Sequence, residues 1–292
     1  MANLKDLRNR IASVTSTQKI TKAMKMVSAS KLKRAQDAAE SARPYAERME
    51  NVLSSLASSM KGQAGGPKLL SGTGNDQKQL VIVATSERGL CGGFNTNIVK
   101  AAKAKINDLL NDGKDVTIIT IGKKGANVLK REYSARMVEH FDMSHVKNLA
   151  FADAAPISAR LIAKFEAGEF DVCTLFFAKF INVLTQVVTP LQLIPASIDE
   201  ESGTDLGGAC YEYEPDENEI LEELLPRNVG VQLFRALLEN AASEQGSRMT
   251  AMDNATRNAG DMIDSLRTTY NRSRQAVITN ELIEIISGAE AL

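Results

Sequence analysis

The last third of this 292-residue chain has few options besides one long helix that needs a partner. No proline follows Pro226 through Leu292, so the helix starts after Pro215 or Pro226 and has nothing to break it. From Leu238, steps of three and four reach Ala241, Gln245, Arg248, Met252, Ala255, Ala259, Met262, Leu266, Thr269, Ser273, Ala276 and Asn280. This seam is small and partly polar over about six heptads, and it lets two helices approach closely at a cost in affinity per turn. Roughly 60 helical residues span on the order of 90 Å. The N-terminal segment is the obvious partner. Its apolar or small residues recur at Leu4, Leu7, Ile11 and Val14, then resume at Ile20, Met24 and Val27. They continue through Leu32, Ala35, Ala39, Ala42, Tyr45, Met49, Val52 and Leu56, which predicts one helix with a phase slip near Gln18. Pro44 should only bend it, and the Gly- and Pro-bearing stretch 61–77 ends it. The segment between the two arms is inserted, so the arms leave it side by side and pair antiparallel.

That central segment alternates strand and helix. QLVIVATS (79–86), DVTIITIG (115–122), DVCTLFFAKFIN (171–182) and VLTQVVTPLQLIP (183–195) read as strands. NTNIVKAAKAKINDLLNDG (95–113), KKGANVLKREY (123–133) and APISARLIAKFEAGEF (155–170) read as helices. The order implies βαβ units and a mostly parallel sheet with an added hairpin.

Charge is balanced in total and uneven along the chain. Lys+Arg 35 against Asp+Glu 36 argues against a bulk polycation for nucleic acid. Yet nine cations and only Asp6 lie between Met1 and Arg34, and eleven acids with no cation lie between Asp199 and Glu223. The basic arm suits a nucleic acid, an anionic surface, an acidic protein partner or a solvated helix face. Cys91, Cys173 and Cys210 are too scattered for a disulfide framework or a structural zinc site. No apolar run reaches transmembrane length, and Met1–Arg10 lacks the apolar core of an export signal.

The candidate reaction centres are weak. SERGLCGGFN (86–95) follows a strand and opens a helix, but its spacing is G-x-x-G-G, and Gly122-Lys123 stands where a ribose-binding acid belongs. It reads as a tight turn. GKKG (122–125) lacks the Gly-Lys-Ser/Thr end of a phosphate loop, and His140 and His145 have only scattered acids nearby. The C-terminal tip is more telling. Arg272, Arg274 and Gln275 form a collar, followed by Ile278, Leu282, Ile283, Ile285 and Ile286, more apolar residues than one seam uses. A tip apolar on several sides should be enclosed by another protein.

Four stretches carry a resemblance: 7–36, 86–98, 242–266 and 270–292. They resemble the γ subunits of F-type ATP synthases over essentially the whole chain. The resemblance implies an α/β fold class: a long antiparallel two-helix coiled coil from the N- and C-terminal segments (1–60 and 211–292) plus a central Rossmann-like α/β domain (78–197). It implies a central rotor shaft inside a ring of three α and three β subunits, docked on subunit ε and the membrane c-subunit ring. By the same resemblance Arg274 and Gln275, with Thr279 and Glu281, catch an acidic β loop. Ile278, Leu282, Ile283, Ile285 and Ile286 form the bearing tip. Met24 and Lys25 face the catalytic ring, and Arg248 faces the opposite helix or the same ring. Tyr211, Glu212, Tyr213 and Glu214 meet the c ring or ε. No catalytic residue, cofactor, metal or nucleic acid is expected, and membrane association is indirect. Glu87 stands where the family often has Asp, and Cys210 alone makes thiol control doubtful. The absence of a transit peptide points to a bacterial protein on the cytoplasmic face of the inner membrane. The alternative class is a free-standing coiled-coil scaffold or nucleic-acid-binding module with a Rossmann-like insert.

Overall fold

The run LVIVA is buried on both sides, which only a central strand with helices on each face achieves. The computed structural model describes residues 3–59, 67–196 and 217–290. The elements are α1 (Leu4–Ser59), α2 (Lys68–Ser71), β1 (Lys78–Ala84), α3 (Phe94–Asn111), β2 (Asp115–Ile121) and α4 (Lys123–Tyr133). They continue with β3 (Met137–Phe141), α5 (Phe151–Glu166), β4 (Val172–Phe180), β5 (Gln186–Ile194) and α6 (Glu217–Glu290). The sheet order is β3-β2-β1-β4-β5, with β5 alone antiparallel. α1 runs through Pro44, and α6 begins at the earlier of its two predicted starts and runs through Pro226.

The chain divides into two compact units, Met1–Ala29 with Arg248–Leu292, and Ser30–Ser247. In the larger unit α3 and α4 cover one face of the sheet through Ile98, Ala102, Ile106 and Leu129. The other face is covered by Ile157, Leu161 and Phe165 of α5 and by Val229, Leu233 and Leu237 of α6. Each fully buried aliphatic side chain contributes about 1.5–3 kcal/mol relative to exposure. Asn240 of α6 accepts a hydrogen bond from the Ala178 N–H, and Ser243 donates to the Ala178 carbonyl, so polar pairs pin α6 to β4 as well. A separate cluster joins Met49 and Leu53 of α1 to Leu221 and Leu225 of α6.

β3 is an element the sequence reading omits. It is a five-residue edge strand, half-buried on alternate residues only, and interrupted in hydropathy by Glu139 and His140. The β4–β5 hairpin is as expected; its turn is closed by the Asn182 carboxamide oxygen, which accepts from the Leu184 and Thr185 N–H groups at 2.9 and 2.8 Å.

Candidate functional site

The smaller unit is a helical pair. Its orientation follows from its contacts: Arg8 meets Tyr270, Thr21 meets Thr256 and Lys25 meets Asp253, so one number falls as the other rises. The helices are antiparallel. On the α1 side the inward positions are Leu4, Leu7, Ile11, Val14, Gln18, Thr21, Lys25 and Ser28, an unbroken alternation of three and four. The predicted phase slip near Gln18 is therefore absent. The seam simply turns polar, while Ile20 and Val27 stand 57% and 56% exposed. On α6 the inward positions are Met252, Thr256, Ala259, Ile263, Leu266, Tyr270, Ser273 and Val277. Half of each predicted heptad was off by one residue: Ile263 is buried and Met262 is 51% exposed.

The polar stretch of the seam is hydrogen-bonded. Thr256 donates to the Met252 carbonyl at 2.7 Å and lies 2.8 Å from the Thr21 hydroxyl, which itself donates to the Gln18 carbonyl. The Gln18 carboxamide reaches the Thr256 carbonyl at 3.5 Å, and a side-chain carbon on Gly260 would come within 3.1 Å of its nitrogen. Gly260 thus leaves the space that Gln18 uses. Beside this layer the Lys25 ammonium donates to Asp253 at 2.6 Å, with Arg257 at 3.8 Å from the same carboxylate. The Lys25 hydrogen bond, then its charge, holds the Asp253 carboxyl below its ordinary range. Nearer the C-terminal end, Arg8 donates to the Tyr270 hydroxyl at 2.9 Å and lowers its pKa.

Beyond Val277 no described residue of α1 faces α6. Ile278, Leu282, Ile283, Ile285 and Ile286 are between 48% and 69% exposed. At about 100° per residue they spread over an arc of about 160°, with Glu281 and Glu284 on the opposite side. Arg274, Gln275, Thr279 and Glu281 are exposed on the same stretch, and the Thr279 hydroxyl donates to the Gln275 carbonyl at 2.9 Å. Met24, Lys25 and Arg248 form a second group. Arg274 follows Arg248 on one helix by roughly 40 Å, so the predicted contact residues occupy two levels. Asp253, Gln18, Thr21 and Thr256 were missed because a search for apolar periodicity skips polar seam positions. The spacing itself was available in the sequence. Tyr211, Glu212, Tyr213, Glu214 and Cys210 lie outside the described residues.

In the larger unit, hydrogen bonds from within the loop, from α3 and from α6 hold the loop 86–93. Ser86 donates to the Arg88 carbonyl at 2.6 Å, Asn95 accepts from the Ser86 N–H, and Ser247 donates to the Cys91 carbonyl at 2.7 Å. Gly122, read as the last residue of a strand, instead caps α4 at φ +89°, and a side-chain carbon there would come within 2.1 Å of the Thr85 carbonyl. His140 pairs with Thr120 at 3.0 Å. Among the described residues, no three His, Cys, Asp or Glu side chains are grouped to hold a metal.

These features define a class of α/β protein: a doubly covered, mostly parallel sheet together with an antiparallel two-helix coiled coil whose apolar end no described residue covers. A family model described as ATP synthase matches residues 3–292. The chain is 62% identical over 294 residues to the ATP synthase gamma chain of Parvibaculum lavamentivorans, and 60% identical over 292 residues to that of Ruegeria pomeroyi, with complete coverage of both. The chain belongs to the ATP synthase family, and these relatives in it are gamma chains. Among solved structures, it is similar to a chain of the central stalk and c-ring of Tetrahymena thermophila mitochondrial ATP synthase. That match has a TM-score of 0.61 and 28% identity, covering 81% of this chain and 99% of the other. A chain of the Euglena gracilis mitochondrial OSCP/F1/c-ring assembly has a TM-score of 0.67 at 18% identity over 99% of this chain and 94% of its own, a likeness of fold.

Proposed function

We propose that this chain is the γ subunit of a bacterial F-type ATP synthase, the central rotor that couples proton flow through the c ring to ATP synthesis or hydrolysis in an α3β3 head. The observation that carries the reading is the stretch of α6 past Val277, a helix apolar over a wide arc with no covering residue of its own chain described. Apolar contacts are non-directional, so such an end can slide past a ring of similar residues with little change in energy. Angular preference then comes from Arg274, Gln275, Thr279 and Glu281, which stand exposed and would engage an acidic β loop. Neutral hydrogen bonds net about 0.5–1.5 kcal/mol and those to charges about 1.5–3. One elementary charge crossing 100 mV supplies about 2.3 kcal/mol. A few protons therefore suffice to release such a catch.

Met24 serves the lower level of contact with the head, and Arg248 serves that level or the opposite helix. Lys25 serves that level only in part, because its ammonium already binds Asp253. The same pair, and the Arg8–Tyr270 bond, disfavour the nucleic-acid reading of the basic arm by engaging two of its cations within the chain. Segments 1–60 and 211–292 act as the shaft and 78–197 as the base. Tyr211, Glu212, Tyr213 and Glu214 meet the c ring or ε. The chain carries no bond chemistry and sits peripherally, on the cytoplasmic face of the inner membrane, through those partners.

Changing Arg274 and Gln275 together to Ala in the assembled complex should lower ATP turnover by about tenfold or more, the loss of one or two charge-assisted bonds. Unchanged turnover together with an unchanged dwell pattern in single-molecule rotation would refute the catch. Failure of the wild-type chain to co-purify with a 3:3 ATPase ring would refute the rotor reading itself.

A further inference from the structure

The larger unit holds a cavity of about 240 Å³ lined by Ala42, Tyr45, Ala46, Phe151, Arg227, Val231, Phe234 and Arg235. Nothing in the rotor reading uses it. It is smaller than the roughly 300–1,000 Å³ pockets that take drug-sized ligands, and open enough to be entered, since Phe151 and Tyr45 are each more than 40% exposed. The wall is almost wholly apolar. Phe151 and Phe234 meet edge to face at 5.8 Å, which fixes the aromatic side of the wall. The two arginines therefore line the cavity with their stems; Arg227 is exposed and keeps its guanidinium head at the edge, whereas the Arg235 head turns to Glu239, outside the lining.

The charges at that edge are incompletely matched. Arg227 lies over the Tyr45 ring at 5.7 Å and makes no ion pair among the described residues. Arg235 reaches Glu239 only through Nε, at 3.5 Å, and the second Glu239 oxygen has no hydrogen-bond partner. No acid stands among the described lining residues. Among the described residues one of the two cations is thus partly neutralised and the other is not, leaving about one positive charge to answer. Guanidinium groups present a planar fork that matches a carboxylate.

We propose that this cavity binds a small amphiphilic monocarboxylate, its apolar body against Tyr45, Phe151 and Phe234 and its carboxylate at Arg227. A monoanion fits the charge count better than a phosphate, and the apolar wall excludes a wholly polar anion. The site is independent of the rotor reading and stands or fails separately.

The test is calorimetric titration of the full-length chain with octanoate and, in parallel, octan-1-ol. The two share an apolar body and differ in the head. Octanoate should bind saturably at one site, about tenfold tighter than the alcohol. Arg227→Gln, a change at an exposed side chain, should erase that difference while leaving alcohol binding intact. Ala42→Phe, which fills the cavity from a half-exposed position, should abolish binding of both. Absence of saturable octanoate binding, equal affinity for acid and alcohol in the wild type, or octanoate binding unmoved by either substitution would overturn the proposal.

Discussion

Asp253 is the most constrained carboxylate of the helical pair, bound by Lys25 from the facing helix and approached by Arg257 one turn along its own. Because its pKa is depressed in the folded chain, the stability it contributes is present above the ordinary carboxylate value of 3.8 and is lost as pH falls through the lower folded value. Asp253→Asn should therefore flatten the acid limb of the stability curve, with little change in that limb's shape above pH 5. Denaturation of the full chain followed by circular dichroism at several pH values measures this. A wild-type acid limb in the variant would show that the pair contributes nothing. The residue was visible in the sequence, but its partner was not. Lys25 was read as one member of a basic arm facing outward, because a charge tally along the chain carries no information about which charges meet across two helices.

At the scale of elements, the seam tests how far periodicity reaches. The α6 pattern had the right period, and its alternate positions Met252, Ala259, Leu266 and Ser273 do face inward. The other half fell one residue short, because Met262 and Ile263 are adjacent and equally apolar, so either satisfies a step of three or four. Only packing separates them. Ile263→Ser should destabilise the pair by about 2 kcal/mol or more, the loss of a buried aliphatic side chain. Met262→Ser should stay within about 0.5 kcal/mol. Equal costs in chemical denaturation would restore the predicted phase. In the α1 half, apolar residues misled in the opposite way. Ile20 and Val27 are apolar and face out, while Gln18, Thr21 and Ser28 are polar and face in. β3 escaped for a related reason: half-buried edge strands alternate too briefly to be recognised, although a parallel β2–α4 connection needs a strand to return to. α2 was missed as well, a four-residue helix inside the stretch read as a break; the order of the other strands and helices was legible, since each is bounded by glycine, proline or a charged turn.

Over the whole molecule, the apolar end of α6 separates what the chain needs from what its partners need. Leu282→Ser with Ile286→Ser removes two side chains that are more than half exposed in the chain. Thermal unfolding of the isolated chain should move by no more than about 0.5 kcal/mol, while assembly with the α3β3 ring should weaken measurably in a reconstitution titration. Equal assembly by variant and wild type would exclude this end as the bearing. The exposed apolar residues of this end were readable from sequence because an excess of isoleucine and leucine beyond one seam needs no fold to be noticed. The two-level arrangement of Met24, Lys25 and Arg248 against Arg274, Gln275, Thr279 and Glu281 was not, since it depends on where α1 begins relative to α6.

The unbroken seven-residue repeat from Leu4 to Ser28, matched from Met252 to Val277, winds the two helices around each other with left-handed chirality. Such a winding responds unequally to the two senses of torque. One sense tightens it and presses Thr21 toward Thr256; the other loosens it and draws the same hydroxyls apart. A shaft built this way is stiffer in one direction than in the other, before any contact with its housing is counted.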